Sequence, residues 1–171
     1  DHEAVVRLAA SHLMERGFRH FAYCGFTGHS WSAEREVGFR AATTTVAQSY
    51  DVYLSGWQTD PQAAFEDQQR EIAHWLSSLP RPLGVMACND MRGQHVLDAC
   101  RRQGLAVPEE VAVIGVDNDE LICELCDPPL SSVTLQAERI GYRAAALLDA
   151  LMSGEKVPAG IERFPPLAVA V

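Results

Sequence analysis

Two apolar runs in this chain stop at the same kind of residue. Val85-Met86-Ala87-Cys88 gives way to Asn89-Asp90, and Val111-Ala112-Val113-Ile114-Gly115-Val116 gives way to Asp117-Asn118-Asp119. Carboxylates and amides put several acceptors and donors in a small space, and a guanidinium adds a rigid fork of donors. Arg35 supplies such a fork near the start of a helical stretch, and Trp31 and Trp57 supply flat aromatic faces in loops after other apolar runs. Together these groups suit a neutral, polyhydroxylated ligand such as a sugar. The polar groups would pair with neighbouring hydroxyls, and an indole would cover the C–H face of a ring. Arg35 would balance Asp117 when both leave water. Each residue also has a plainer reading. Asp90 suits the cap of the helix that follows it. Trp31 and Trp57 could equally be core plugs, and Arg35 could pair with Glu34 or Glu36 at the surface.

The positioning elements follow from the apolar periodicity. Val5, Leu8, Ala9, His12 and Leu13 recur at helical spacing, and Gly17 marks the stop. Residues 18–25 read as a strand, 26–32 as a loop and 33–47 as a helix. A second strand fits Tyr50 to Ser55. Asp60 and Pro61 are N-cap and first position of a helix reaching about Leu79, which Pro80-Arg81-Pro82 breaks. Then come strand 83–88, helix 91–103 with Gly104 as its stop, strand 111–116, a short strand from Ser131 to Leu135, and helix Ala137 to Met152. The tail 161–171 is extended, with Pro165-Pro166 at a kink or edge.

Strands alternating with helices imply βαβ units and a parallel sheet. Right-handed crossovers send every parallel strand's C-terminal end to one edge. Asn89 and Asp117 therefore share a rim, and open α/β sheets bind ligands along that rim. The fold class expected is α/β, a Rossmann-like parallel sheet flanked by helices.

Composition narrows the function. The chain has 171 residues, 47% hydrophobic and 22% charged, enough to bury a core. With 14 Lys+Arg against 23 Asp+Glu the net charge is −9, and no basic stripe suited to nucleic acid stands out. No apolar run is long enough to span a bilayer and no secretory signal precedes the fold, so no membrane partner is expected. The five cysteines (Cys24, Cys88, Cys100, Cys123, Cys126) lack disulfide-scaffold spacing and read as reduced thiols of a cytoplasmic protein. Cys123-Glu124-Leu125-Cys126 is formally CxxC, but without a second pair it reads as structural thiols and not as a metal or redox centre. Catalytic motifs are missing: there is no GxSxG, HExxH, P-loop or GxGxxG. Gly25-Phe26-Thr27-Gly28 lacks the lysine and spacing of a phosphate loop. The six histidines are scattered, with His12 and His74 read as surface or core-edge residues. No catalytic residue, metal or cofactor is expected. An enzyme using Asp90 or Asp117 as base or nucleophile finds no partner at suitable spacing.

The ordered motifs resemble the effector-binding core of the lactose-repressor (LacI/GalR) family. His12-Leu13-Met14-Glu15-Arg16-Gly17-Phe18-Arg19-His20-Phe21-Ala22-Tyr23-Cys24-Gly25 resembles its HLxxxGHRxIAxIG. Ser32 to Phe39 resembles SxxRxxGF, and Ala87 to Asp90 resembles xxND. Val113 to Asn118 resembles VVGYDD, and Pro129 to Val133 resembles PPLTTI. Each is loose alone; five in order at the family's spacing are specific. The resemblance implies a type I periplasmic-binding-protein-like fold of two Rossmann-like lobes with an effector clamped between them. Carried over by motif, the ligand contacts of this lobe are Arg35, Asn89 and Asp117, with Trp57 near an aromatic position and Trp31 a weaker case.

The resemblance also implies a domain layout. Residues 1–130 correspond to the C-terminal lobe, and 131–171 to a crossover segment, helix and returning tail. The N-terminal lobe and the DNA-binding domain lie outside this chain, which opens without an initiator Met and stops inside an apolar run. The stretch from Cys88 to Val133 is similar to the xylose-operon regulators of this family, in which an arabinose-regulator (AraC-type) DNA-binding domain follows the effector core. That implies a cytoplasmic homodimeric regulator sensing D-xylose and reaching operator DNA through another domain. A periplasmic sugar-binding protein of a transporter shares the fold and is the alternative; five unpaired cysteines argue against it.

Overall fold

The computed structural model of the chain describes residues 1–56 and 61–171, the side chains of 61–65 excepted. α1 (His2–Glu15) leads into β1 (His20–Phe26), followed by α2 (Ser30–Thr43), β2 (Ser49–Ser55), α3 (Pro61–Ser77) and β3 (Leu83–Ala87). Then come α4 (Asp90–Gln103), β4 (Val111–Asp117), α5 (Glu120–Leu125), β5 (Ser131–Thr134), α6 (Ala137–Met152) and β6 (Ala168–Ala170). The strands form one sheet in the order β2-β1-β3-β4-β5-β6. β1 to β5 pair in parallel, and β6 closes the edge antiparallel to β5, with Val169 opposite Val133.

The central strands are apolar along their whole length because both faces are covered. In β1, Phe21 and Tyr23 enter a layer with Val5, Val6, Ala9 and Leu13 of α1 and Phe39 of α2. Ala22 and Cys24 point the other way, into a layer with Ile72 and Leu76 of α3 and Val96 and Cys100 of α4. The helices begin and end where local chemistry allows. The Asp1 carboxylate accepts the Ala4 amide at the start of α1. Gly104 closes α4 in the left-handed conformation at φ 66°. α1 and α2 approach closely at Gly38, where a Cβ would stand 2.8 Å from the Val6 Cγ2.

The α/β parallel sheet agrees with the pattern read from the sequence, and three elements differ from it. α2 starts at Ser30, so Trp31 and Ser32 sit in its first turn and not in a loop. Its cap residue His29 makes no side-chain cap bond. The Ser32 hydroxyl instead accepts the Phe26 amide at 3.1 Å and the Ser32 carbonyl accepts Tyr23 O–H at 2.8 Å, tying the helix start to β1. α5 went unread, being six residues long and too short to show a helical period. β6 adds an antiparallel edge to a sheet expected to be parallel throughout. The expected cap Asp60 lies outside the described residues.

All five cysteines are free and buried. Burial pushes the Cys24, Cys100 and Cys123 thiols up to about 12 and Cys88 up to about 11, which disfavours the thiolate that metal binding or redox chemistry needs. No helix among the described residues is long and apolar enough to cross a membrane.

α6 stands apart from this core. None of its residues is buried, and Leu148, Leu151 and Met152 of its apolar stripe are exposed. Peripheral contacts tether it to the tail: Arg143 pairs with Glu162 at 2.8 Å, and Arg139 lies over the Phe164 ring. In this chain Ile114→Ala is expected to cost about 2–5 kcal/mol in urea unfolding, the usual cost of a core cavity. Leu148→Ala is expected to change stability by no more than about 0.5 kcal/mol.

Candidate functional site

The chain runs from β1 outward to β2, then returns past β1 to lay down β3, β4 and β5. The order therefore reverses between β1 and β3, and a crevice opens outside the strand C-termini at such a switch point. Phe26 ends β1, Cys88-Asn89 follow β3, and Asp117 ends β4. α2, which follows β1, brings Arg35 to the same place.

Arg35 is only 5% exposed. One terminal nitrogen donates to the Cys88 carbonyl at the end of β3. Its Nε donates to the His2 Nδ1 of α1 at 3.3 Å. Its other terminal nitrogen lies 3.6 Å from the Asp117 Oδ1. Trp31, one turn earlier on α2, holds its ring 5.5 Å from the guanidinium carbon. Arg35 is thus not in a surface pair with Glu34 or Glu36: it is buried against Cys88, His2 and Asp117, and Glu36 pairs with Arg40 at 2.8 Å. To accept from Arg35, His2 must be unprotonated at Nδ1. Burial and then the Arg35 charge lower its pKa, which favours that form.

Asp117 has a half-exposed side chain and a backbone at φ 109°, and Asn118 follows at φ 55°. Two consecutive non-glycine residues in this region cost of order 1–3 kcal/mol each unless their surroundings hold them. Burial raises the Asp117 carboxyl above the usual range, and Arg35 opposes that rise.

Asn89, and not Asp90, is the N-cap of α4: its Oδ1 accepts the Arg92 amide at 3.0 Å. A ligand contact from Asn89 would therefore come from its Nδ2 donor. The cap expected of Asp90 is corrected. Asp90 is the first helical residue, so its carboxylate is free to turn inward, where it accepts from Ser132 O–H and the Asp119 amide.

Of the residues singled out by sequence, the structure joins Arg35 to Asp117 directly. Asn89 adjoins through Cys88, and Trp31 through Arg35. Trp31 also packs at the margin of the core, so it serves packing and rim together. Trp57 lies outside the described residues. The sequence reading missed Arg92, which is fully buried on α4. Its guanidinium lies 3.9 Å from the Phe26 ring centroid and donates to Ser55 Oγ at 2.8 Å and Gln68 Oε1 at 3.3 Å. It also missed His2 and the Asp90–Ser132 pair; the only available signal was the hydroxyl at 132 within the Pro129 to Val133 motif.

Chemically, the rim offers a guanidinium, a carboxylate and an amide beside an indole. Ser132 meets Asp90 with no histidine between them, so no nucleophile–base–orienter relay is assembled. Among the described residues no group of three His, Cys, Asp or Glu could hold a metal ion. The arrangement is equipped to bind hydroxyls.

Residues 10–170 match the family model described as a periplasmic binding protein-like domain. The chain is 42% identical over 173 residues to the xylose operon regulatory protein of Haemophilus influenzae, covering 99% of this chain and 44% of that relative. The fold superposes with a TM-score of 0.86 and 37% identity on the structure of the xylose-binding transcription activator xylR, covering 99% of this chain and 45% of that one. It superposes with a TM-score of 0.84 and 27% identity on a complex of the transcriptional regulator CelR with cellobiose, covering all of this chain and 51% of that one. The chain thus spans less than half the length of the curated relative it matches.

Arg35→Ala would leave the Cys88 carbonyl unpaired and remove the charge that opposes the burial of Asp117. The expected loss of stability is about 1–3 kcal/mol by urea unfolding. The Asp117 carboxyl should titrate still higher than in the unaltered chain, read by carboxyl-carbon NMR against pH.

Proposed function

The chain belongs to the periplasmic binding protein-like domain family, and on that premise we propose that it is the effector-binding part of a sugar-responsive transcription regulator that senses D-xylose. The observation that supports this most is the rim itself. Arg35 and Asp117 face each other at 3.6 Å beside the Asn89 cap, at the strand C-termini where this sheet type binds ligands. Arg35, Asp117 and the Asn89 amide would hydrogen-bond the sugar hydroxyls, with Trp31 as an aromatic wall. The names of the relatives, which are regulators and not transport proteins, support the same reading.

In this reading residues 1–130 form one lobe, which β5 and β6 complete, and within 131–171 the segment between those two strands crosses to a second lobe and returns. The return is the antiparallel β6. The exposed apolar stripe of α6 would pack on that second lobe. The sugar would then sit between two rims, and its binding would favour the closed arrangement by its differential affinity for the two states. Operator DNA would be bound by a domain other than this acidic one, in a homodimer that presents two half-sites. The buried, unpaired thiols suit a reducing cytoplasm. The protein would act by binding and not as an enzyme.

Calorimetric titration of the full-length protein tests this reading. D-xylose should bind in preference to L-arabinose, D-ribose and D-glucose, and Asp117→Ala should weaken it by about 1–3 kcal/mol. Failure of every sugar to bind would overturn the reading. A pH series checks the charge state. The ionised Asp117 is the acceptor, and its carboxyl is raised, so xylose affinity should fall on acidification from a higher pH than an ordinary carboxylate would give. Affinity unchanged through that range would contradict the role of Asp117.

A further inference from the structure

Asp90 is 2% exposed and spends neither oxygen on capping its own helix. Its Oδ2 accepts the Asp119 amide at 2.7 Å, and its Oδ1 accepts Ser132 O–H at 2.5 Å. Ser132 of β5 in turn accepts the Asn118 amide at 3.0 Å. Both backbone amides that follow Asp117 are thereby fixed, one directly and one through the serine. These are the amides of the turn that holds Asp117 and Asn118 at positive φ.

The surroundings are shaped for this carboxylate. A Cβ on Gly115 of β4 would stand 2.2 Å from the Asp90 Oδ1 and 3.3 Å from the Asp90 Cα, so no larger residue leaves the carboxylate where it is. Asp90 also opens α4 directly after Asn89, where the helix N-terminus favours a negative charge. One rigid helical turn therefore carries Asn89 and grips the loop that carries Asp117.

We propose that Asp90, bridged by Ser132, is a positioning residue of the ligand site: it holds the 117–119 turn in the form that presents the Asp117 carboxylate to Arg35 and the sugar, in register with Asn89. This rests on the reading of the rim as a sugar site. Asp90 touches no ligand itself. Its two acceptor bonds replace the water that this loop would otherwise need, and they offset the cost of the left-handed pair.

The test is D-xylose titration of the full-length protein, with thermal melts in the absence of sugar. Ser132→Ala removes one hydroxyl and should weaken xylose binding by roughly tenfold, the loss of one buried bond to a charged group. Asp90→Ala should lose at least as much. Asp90→Asn keeps an acceptor for the Asp119 amide and should recover part of it. The decisive readout is the pair of variants in the Asp117→Ala background. Acting through Asp117, Ser132→Ala should there change affinity little.

Equal losses in both backgrounds would mean that the pair serves the fold alone and would overturn the proposal. Wild-type affinity in Ser132→Ala and Asp90→Ala, with Asp117→Ala weakened, would overturn it and leave the sugar site standing. Should Asp90→Ala fail to fold, Ser132→Ala alone decides. Wild-type protein that ignores D-xylose, or binds it as well after Asp117→Ala, would remove the site reading and the positioning role together.

Discussion

A guanidinium taken out of water at the end of a parallel sheet must find acceptors there, and Arg35 finds them on three separate elements. Cys88 follows β3, His2 opens α1, and Asp117 ends β4. With Asp117 half-exposed, the ion pair contributes little to stability by itself. Its effect is geometric. A cation that must face the carbonyl of one strand and the carboxylate of the next fixes the rim between them. The helices that carry His2 and Arg35, α1 and α2, pack closely at Gly38.

The rim is held in two layers. Arg35 works from the β1 side, through α2. Asp90 and Ser132 work from the β4–β5 side and fix the backbone behind Asp117. Desolvation raises both carboxyls, the buried Asp90 and the half-exposed Asp117, and the partners of each oppose that rise. Asp117 faces a guanidinium that stays protonated, and Asp90 faces a hydroxyl and a backbone amide, so neither pair is a proton relay. In the proposed reading this rim serves binding: Arg35 faces Asp117, and donors and acceptors remain for hydroxyls.

Much of this was legible in the sequence because the signals were local. Asn89 and Asp117 each end an apolar run long enough to be a strand, and topology alone then put them on one edge. α6 was read to the residue, since its stripe persists for four turns. What failed depended on contacts between distant residues. Asp90 looked like a cap because a helix starts beside it; that Asn89 takes this role, and that Asp90 reaches Ser132 across β4, is set by tertiary packing. Trp31 looked like a loop residue because Ser32 resembles a helix start, whereas its hydroxyl turns back to β1. Arg92 gave no signal, since a buried guanidinium above an aromatic ring is invisible to hydrophobic patterning. β6, only three residues long and just beyond a proline pair, becomes a strand by pairing with β5.

Hydrogen–deuterium exchange of the full-length protein, with and without D-xylose, tests most directly whether a sugar is held at this rim. Protection should concentrate in three segments far apart in sequence: 26–35, 88–92 and 117–119. The outer helical faces, such as the exposed side of α4, should exchange unchanged. Xylose-dependent protection that spares all three segments, or no protection by any sugar that binds, would place the ligand elsewhere and contradict the account.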